Sequence, residues 1–242
     1  MTKSILSGVL PALTQDRFGV WRKEGAGGFD YSDGTDSEKY LYEAFTKADD
    51  LSSDSEELEG MGQDWTSEYH LTRKRAQLLR AYDFDPAARV LEVGSGCGAI
   101  TRFLGETFND VVAVEGSRVR ARLARLRTKG LDNVTVISSP FQDTHFEQKF
   151  DIIFCIGVFE YSAHFVPGNE PYTDVLSHFE KLLTPEGYIV VAIENQLGLK
   201  YFSASAEDHT NRMFEGIEDY PRFGGTVRTF GYQEIRAMLA KH

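Results

Sequence analysis

The feature that most constrains this chain is an apolar strand, residues 90–93, that runs directly into Gly94, Gly96 and Gly98. A helical pattern over residues 100–108 follows the glycines. Glycine is needed where a backbone turns sharply or approaches a ligand with no Cβ in between. A strand, a glycine-rich turn and a helix in this order predict a ligand-binding loop in an α/β protein.

The spacing of the glycines limits the kind of ligand. The third glycine comes one residue earlier than in the G-x-G-x-x-G pattern of dinucleotide sites, which disfavours a pyrophosphate and favours a ligand without phosphate. Glu115 ends the next predicted strand, 110–114, where an acid can accept hydrogen bonds from both ribose hydroxyls. Together these elements predict a nucleoside-binding site. The alternative is a structural turn and a surface glutamate.

Strands and helices alternate through the middle of the chain, which predicts a parallel sheet with right-handed crossovers. Near-continuous Val and Ile runs are typical of strands buried on both faces. The predicted helices are 69–80, 100–108, 118–128 and 173–183. The predicted strands are 89–93, 110–114, 134–138, 150–156 and 188–193.

The regions on either side of this alternation differ in character. We expect an N-terminal extension, 1–62, to contain a hairpin of strands 18–21 and 29–31, a helix over 37–48 capped by Ser37, and an acidic linker over 49–62. The main domain would then be 63–242. Within it, residues 194–231 are irregular, polar and aromatic, which predicts a substrate lid, and a helix follows over 231–241.

Composition excludes several classes of protein. The net charge of −11 argues against broad nucleic-acid binding, and no apolar run reaches the ~20 residues that a membrane helix requires. Cys97 and Cys155 lack metal-ligand spacing, so we expect no metal site and no disulfide framework. We therefore expect a cytoplasmic protein without a cleaved signal. Residues 30–64 are acidic and residues 118–129 are basic. Either these are two solvated faces, in contact with each other or apart, or the basic helix faces an anionic substrate or a lipid surface.

Residues 88–193 resemble the class I S-adenosylmethionine (SAM) dependent methyltransferases. Residues 92–98 look like the first motif of that family, 150–161 like its fourth-strand motif, and 182–187 like the turn before its fifth strand. The resemblance implies methyltransferase activity, with SAM as cofactor and S-adenosylhomocysteine as product. The implied cofactor contacts are Glu92, Gly94, Ser95, Gly96, Gly98, Glu115, Gly116, Phe141, Gln142, Ile156 and Gly157.

The resemblance gives these contacts distinct roles. Glu92 is expected to meet the α-ammonium of SAM; the alternative is a structural pair with an arginine or with backbone amides. The family often has an aspartate against adenine after the third strand, but Pro140 stands near that place here. We therefore transfer the adenine contact to Phe141 and Gln142. The predicted strand 150–156 ends at Ile156. This residue and Gly157 would offer backbone groups to the methionine part of SAM.

The family sheet has seven strands, the last two forming a hairpin, whereas this sequence ends at His242 within the helix expected before them. We expect a Rossmann-like, doubly wound, mostly parallel sheet that lacks those two strands and carries an N-terminal α+β extension. An unpaired edge would remain at the fifth strand. The chain is then a fragment, or another segment or protomer covers this edge; the predicted hairpin within 18–31 is a candidate cover.

A narrower resemblance covers nearly the whole chain. Residues 29–34, 64–71 and 193–202 look like methyltransferase domains of larger bacterial proteins, some with glycosyltransferase segments, associated with surface polysaccharide or lipopolysaccharide assembly. It implies polysaccharide biosynthesis and a glycan-linked acceptor, with a small molecule as the other acceptor class. Association with a membrane surface or a glycosyltransferase, and formation of an oligomer, stay open.

Methyl transfer from a sulfonium requires mainly that the protein position two substrates and exclude water, and an oxygen acceptor also needs a base. The candidate bases are His209, Glu194, Asp208 and His70. The candidate substrate contacts are His70, Tyr161, Tyr201 and Arg212. Alternatively, His70 fixes the N-terminal helix, and the aromatic side chains proposed for the lid only pack within the protein. These aromatic residues are Tyr161, Tyr201, Phe202, Phe214 and Tyr220. Two other functions remain: a non-catalytic SAM-binding module that positions a glycosyltransferase, and an NAD-dependent enzyme, which the glycine spacing disfavours.

Overall fold

The computed structural model describes residues 9–10, 13–23, 32–207, 210–220 and 227–242. The chain forms two compact units, residues 1–153 with 184–188, and residues 154–183 with 189–242. The strands are β1 (Val9–Leu10), β2 (Leu13–Gln15), β3 (Trp21–Lys23), β4 (Arg89–Val93), β5 (Asp110–Glu115), β6 (Val134–Ser138), β7 (His145–Phe146), β8 (Phe150–Ile156) and β9 (Leu183–Ala192). The helices are α1 (Thr35–Lys47), α2 (Glu56–Gly60), α3 (Trp65–Leu71), α4 (Lys74–Arg80), α5 (Ala99–Thr107), α6 (Arg118–Arg127), α7 (Ser162–Phe165), α8 (Pro171–Leu182), α9 (Leu199–Phe202) and α10 (Tyr232–Leu239).

Seven strands form one sheet in the order β2-β3-β6-β5-β4-β8-β9. The pairs β4–β5, β5–β6 and β3–β6 are parallel, and β2 pairs antiparallel with β3. From β4 the order extends through β5 and β6 to one side and through β8 and β9 to the other. This is the doubly wound, mostly parallel sheet that the sequence predicts. A separate two-stranded sheet, which the sequence did not predict, joins β1 and β7.

The sheet core follows directly from the apolar runs. Almost every residue of β4, β5 and β6 is buried, as expected for strands covered on both faces. Helix α5 buries Ile100, Phe103 and Leu104, a spacing that places the three side chains on one helix face. These packed strands give the loops at their carboxyl ends a rigid base.

The N-terminal hairpin differs from its prediction in place and in partner. Its strands are β2 and β3, with the turn at 16–20, and the predicted second strand, 29–31, lies outside the described residues. β3 pairs with β6, so the hairpin extends the sheet at the β6 edge. The expectation that it covers the fifth-strand edge is therefore wrong. β9 ends the strand order, so its outer edge is unpaired among the described strands, as expected.

Several helix boundaries also differ from the sequence prediction. Helix α1 begins after Gly34 without a side-chain cap, so Ser37 is not its cap. The predicted linker contains α2, whose first turn is capped by the Ser55 hydroxyl accepting from the amide of Leu58. The single predicted helix over 69–80 is two helices, because Thr72 adopts an extended backbone between α3 and α4. β9 begins at Leu183, within the predicted turn 182–187.

The N-terminal helices pack on the loop that follows β4. One buried cluster combines side chains of α1, α2 and α3 with Cys97 and with Leu123 of α6; its members are Leu41, Ala44, Phe45, Leu58, Leu71, Cys97 and Leu123. The extension is thus part of the same core as the glycine loop. Among the described residues, no helix combines the length and the apolar character needed to cross a membrane.

Candidate cofactor site

The turn after β4 is held by the neighbouring strand β5. The amides of Gly94 and Ser95 both donate to the carbonyl oxygen of Val114, at 2.8 and 3.1 Å. Gly94, Gly96 and Gly98 have φ values of 73°, 54° and 87°, in the left-handed region that residues with a side chain rarely adopt. The conformation of the turn therefore requires all three glycines.

The packing of α6 against the turn is a second reason why position 98 must lack a side chain. A Cβ at Gly98 would lie 2.7 Å from the Cα of Ala124 in α6, which is closer than atoms can approach. A Cβ at Gly96 would lie 3.0 Å from Nη2 of Arg120. The sequence pattern predicts a sharp turn and close ligand approach at these glycines, and the structure adds that Gly98 lets α6 pack against the loop.

Glu115 joins the glycine loop to the end of β5. Its Oε2 accepts a hydrogen bond from the amide of Gly96 at 2.7 Å, and its Oε1 accepts one from the amide of Ser117 at 2.9 Å. The carboxyl group is buried. The structure therefore brings together the acid and the glycines that the sequence pattern paired.

Glu92, at the carboxyl end of β4, is a buried acid with unused bonding capacity. Only 3% of the residue is exposed, and its Oε2 has no hydrogen-bond partner among the described residues. Burial raises the pKa of Glu92 to about 7; the nearby Thr101 hydroxyl partly offsets this rise, and the Glu115 carboxylate adds to it. The buried hydroxyl of Ser95 likewise lacks a partner in the described chain. A buried polar group without a protein partner is rare, so both groups are candidates to bind a ligand.

His70 connects the N-terminal segment to the glycine loop. Its Nε2 lies 2.9 Å from Oδ2 of Asp33 and 3.8 Å from Sγ of Cys97. Burial lowers the pKa of His70, partly offset by the Asp33 hydrogen bond, and burial raises the pKa of the Cys97 thiol to about 12. The imidazole and the thiol are therefore neutral near pH 7. These contacts support the alternative in which His70 fixes the N-terminal segment.

Asp33, His70 and Cys97 also form a donor set of the type that binds metal ions. Their ligand atoms all lie within 4.8 Å of one another. However, Nη2 of Arg120 lies 3.7 Å from the same Asp33 oxygen, and its positive charge opposes a second cation. The group fits a hydrogen-bonded contact better than a metal centre. Asp33 had no local signal in the sequence, because its partners lie far along the chain.

Most arginines of the basic helix α6 bind other groups of this protein. Four of its arginines bind protein groups: Arg120 pairs with Asp33, Arg122 with Asp16, Arg125 with the carbonyl of Thr128 and Arg127 with the carbonyl of His70. Two of these partners are acids of the N-terminal region. Only Asp33 belongs to the acidic segment 30–64, so the two segments contact each other through the Arg120–Asp33 pair. Because these four arginines bind protein groups, a helix that faces an anionic surface is disfavoured.

The predicted adenine contacts lie after β6. Phe141 and Gln142 form a single 3-10 turn that follows Pro140, and both are half-buried. The amide of Ser139 donates to the carbonyl oxygen of Glu115 at 3.0 Å, so this segment begins beside the end of β5. Gly116 follows Glu115 directly and is also half-buried.

The second unit contains the other predicted cofactor contacts. β8 ends at Ile156, which is buried. Gly157 has a φ of 67°, and its amide donates to the carbonyl of Ala192 at 2.7 Å, so this N–H is already used. Tyr161 ends a 3-10 turn and is half-buried, and Arg212 is exposed.

The predicted base Glu194 is engaged within the second unit. It forms an ion pair with Lys200 and accepts a hydrogen bond from the hydroxyl of Tyr201. Tyr201 is fully buried, so it packs this unit instead of offering an exposed ring. Sequence reasoning missed the neighbouring buried pair, in which the Tyr220 hydroxyl donates to Glu207 at 2.9 Å. The other predicted bases, Asp208 and His209, lie outside the described residues.

The residues of the first unit fit SAM by their chemistry. The turn at Gly94–Gly98 carries no Cβ at its three glycines, Glu115 presents a carboxyl group beside it, and the unpartnered oxygen of Glu92 can accept from an ammonium. This combination of a nucleoside-type loop and a buried acid suits a ligand with a sugar and a positive charge.

Comparison with known proteins agrees with this chemistry. Residues 91–189 match a family model described as a methyltransferase domain. No curated protein sequence matches the chain. The N-methyltransferase NodS from Bradyrhizobium japonicum WM9 aligns over 69% of this chain and 79% of its own, with 18% identity and a TM-score of 0.51.

Two further structures show the range of the likeness. A DhpI-SAM-HEP complex aligns over 87% of this chain and 90% of its own, with 16% identity and a TM-score of 0.50. The CcbJ methyltransferase from Streptomyces caelestis aligns over 48% of this chain, with 24% identity and a TM-score of 0.42. This alignment spans 47%, about half, of the CcbJ chain. Because NodS and DhpI are less than 25% identical to this chain, their likeness shows a shared fold and no more.

Proposed function

We propose that this chain is a class I SAM-dependent methyltransferase and that it transfers the methyl group of SAM to an oxygen of a glycan or glycan-linked acceptor. The methyltransferase assignment depends on the domain matched over residues 91–189. The observation that carries the cofactor site is the 2.7 Å hydrogen bond between Glu115 and Gly96. The glycan acceptor is supported by the resemblance of residues 29–34 and 193–202 to domains of surface-polysaccharide proteins.

The residues of the chain hold and orient the cofactor. When bound, SAM supplies a methyl group that its positively charged sulfur has already activated. Each oxygen of the Glu115 carboxyl group accepts one hydrogen bond from the protein, and a carboxylate oxygen can accept a second. Glu115 would therefore also accept hydrogen bonds from the ribose hydroxyls. Glu92 would accept from the α-ammonium. The proposed adenine contacts are Phe141 and Gln142, and Ser95 and Gly116 are further proposed contacts within the first unit. The family resemblance also proposes Ile156 and Gly157 as contacts of the methionine part.

We assign the acceptor to the segment 194–231, within a main domain of 63–242. Glu194 would have to release Lys200 and Tyr201 before it could take a proton, which favours Asp208 or His209 as the base. Tyr161 and Arg212 are the proposed acceptor contacts that are not fully buried. His209→Gln is therefore the first variant to test for loss of turnover.

The test uses two measurements on the same protein. Calorimetry with S-adenosylhomocysteine and with NADH separates a SAM site from an NAD site. A mass-spectrometric screen with isotope-labelled SAM then tests extracted glycans and glycolipids as acceptors. Label on a glycan oxygen supports the proposal. Binding of S-adenosylhomocysteine without transfer to any acceptor would instead favour a non-catalytic module that positions a glycosyltransferase.

A further inference from the structure

Trp65 is the outer member of a stack of side chains on α3 and α4. Its indole ring lies 5.4 Å from the ring of Tyr69, with an angle of 22° between the two planes. The guanidinium carbon of Arg75 lies 4.2 Å from the centre of the same Tyr69 ring. Trp65 and Tyr69 are four residues apart, which places them on one face of the helix. The orientation of the Trp65 ring is therefore fixed by its neighbours.

The Trp65 ring also has a face that is open to solvent. The residue is 58% exposed even though it stacks on Tyr69. A single exposed apolar side chain is common on protein surfaces and needs no function. A tryptophan that is held parallel to a second ring differs, because it offers a large and rigid contact surface at little cost in conformational entropy.

This stack lies close to the glycine loop. Tyr69 contacts His70 edge to face, with ring centres 5.1 Å apart, and Nε2 of His70 lies 3.8 Å from Sγ of Cys97 in the turn after β4. Only two side chains thus separate Trp65 from the loop that is proposed to hold the cofactor. A ligand on the Trp65 ring would lie near the site of methyl transfer.

The polar residues around Trp65 favour an uncharged ligand that is rich in hydroxyl groups. Gln63, Asp64 and Glu68 are exposed, and Glu68 is a neighbour of Trp65 on the helix surface. Their side-chain oxygens accept hydrogen bonds from hydroxyl groups, and the two acids repel an anionic ligand. A pyranose ring has hydroxyl groups at its rim and a face of C–H groups. Such C–H groups carry a slight positive charge and suit the negative face of an aromatic ring.

We propose that the open face of Trp65 binds a pyranose ring of the glycan acceptor; this inference rests on the proposed function. The sugar stacks on the indole, and its hydroxyl groups donate to Asp64 and Glu68. A quaternary ammonium is the other ligand class that pairs with aromatic rings and acids, but it usually binds inside a cage of several rings. Here Tyr69 lies parallel to Trp65 and beneath it, which leaves an open platform and not a cage.

The first experiment measures access to the Trp65 ring. The chain has two tryptophans, so Trp21→Phe leaves Trp65 as its only indole. Acrylamide quenching of the fluorescence of this variant is measured with millimolar trisaccharides of glucose, mannose, galactose, rhamnose and N-acetylglucosamine, and with choline. We expect at least one trisaccharide to shield Trp65 from acrylamide and to shift its emission to shorter wavelength. Choline should do neither.

The second experiment measures by calorimetry the affinity for the sugar that shields Trp65. Trp65→Ala should weaken it by about tenfold or more, as is usual when an aromatic anchor is removed, and Trp65→Tyr should recover part of the loss. Tyr82→Ala is the matched control, because Tyr82 is a 64% exposed aromatic residue of the same unit. Its sugar affinity should stay within about twofold of wild type. Unchanged binding of S-adenosylhomocysteine shows that Trp65→Ala is folded.

The outcomes are distinguishable. Failure of every trisaccharide to shield Trp65, shielding by choline, or equal losses of sugar affinity in Trp65→Ala and Tyr82→Ala would overturn the sugar site. Shielding that grows with protein concentration in the absence of sugar would also overturn it, because a second copy of the chain would then cover the ring. Failure of the wild-type protein to bind S-adenosylhomocysteine would instead overturn the proposed function, and the shielding of Trp65 by a sugar could still be measured.

Discussion

The carboxylate of Glu115 lies 2.7 Å from the amide nitrogen of Gly96, with 18 residues of chain between the two positions. Its second oxygen accepts from Ser117 at 2.9 Å, so one side chain joins the turn after β4 to the turn after β5. A residue proposed to bind ribose thus also maintains the shape of the loop on which the adenosine would lie.

Replacing Glu115 with alanine should therefore affect both stability and binding. The amides of Gly96 and Ser117 lose their acceptor, which should cost about 1–3 kcal/mol of unfolding free energy. The affinity for S-adenosylhomocysteine should fall by about tenfold or more. Urea unfolding and calorimetry measure the two effects. Glu147→Ala, at an exposed acid, should change neither quantity, and an unchanged affinity in Glu115→Ala would refute the ribose role.

A comparison of two glycines isolates the packing role of Gly98. Gly98 and Gly130 have nearly equal φ values, 87° and 85°, but only Gly98 has backbone within 4 Å of an added Cβ. We expect Gly130→Ala to cost about 1–2 kcal/mol from backbone strain alone. Gly98→Ala should cost at least about 2 kcal/mol more, since α6 must move from the loop. Equal costs in urea unfolding would show that α6 packing does not depend on this glycine.

The sheet and the glycine loop could be predicted because their signals are local. The strand 90–93, the glycines after it and Glu115 at the end of the next strand are each defined by neighbours in the sequence. Parallel strands joined by one crossover helix must bring their carboxyl ends together. The contact between Glu115 and Gly96 therefore follows from topology once the two strands are recognised.

The contacts of the N-terminal region could not be predicted, because they are long-range. Asp33 and His70 are 37 positions apart, and nothing in their spacing indicates a hydrogen bond. Likewise, β3 could pair with either edge of the sheet by its composition alone. The break at Thr72 also escaped prediction, since the apolar pattern continues through it. That break starts α4 anew and places Arg75 in its first turn.

Acid should destabilise the protein through His70. Burial lowers its pKa below the ordinary 6.5, so below pH 6.5 the unfolded chain takes up a proton that the native state resists. The contribution of His70 to stability is therefore present above pH 6.5 and is lost as the pH falls toward its native pKa. Urea unfolding between pH 7.5 and 5, about the range of histidine titration, measures this loss. His70→Gln should show a shallower decline, whereas His145→Gln, at an exposed position, should decline like wild type.

Glu92 should have the opposite dependence on pH. Its native pKa is raised from 4.5 to about 7, so its contribution is present at pH 4.5 and is lost as the pH rises through 7. The loss amounts to about 3 kcal/mol between pH 4.5 and 8. Glu92→Gln, which cannot ionise, should therefore gain about that much over wild type across this range in urea unfolding.

Saturating S-adenosylhomocysteine connects this pH dependence to the proposed ammonium contact. An ammonium beside Glu92 favours the ionised carboxylate and lowers its native pKa, so the ligand should flatten the decline of the wild-type protein between pH 4.5 and 7. Glu92→Gln should bind the ligand more weakly at pH 8 despite its greater stability. Parallel stability curves for wild type and Glu92→Gln would show that the carboxyl group has the same pKa in the folded and unfolded chains, which would refute the raised pKa. A wild-type decline that the ligand leaves unchanged would refute the ammonium contact.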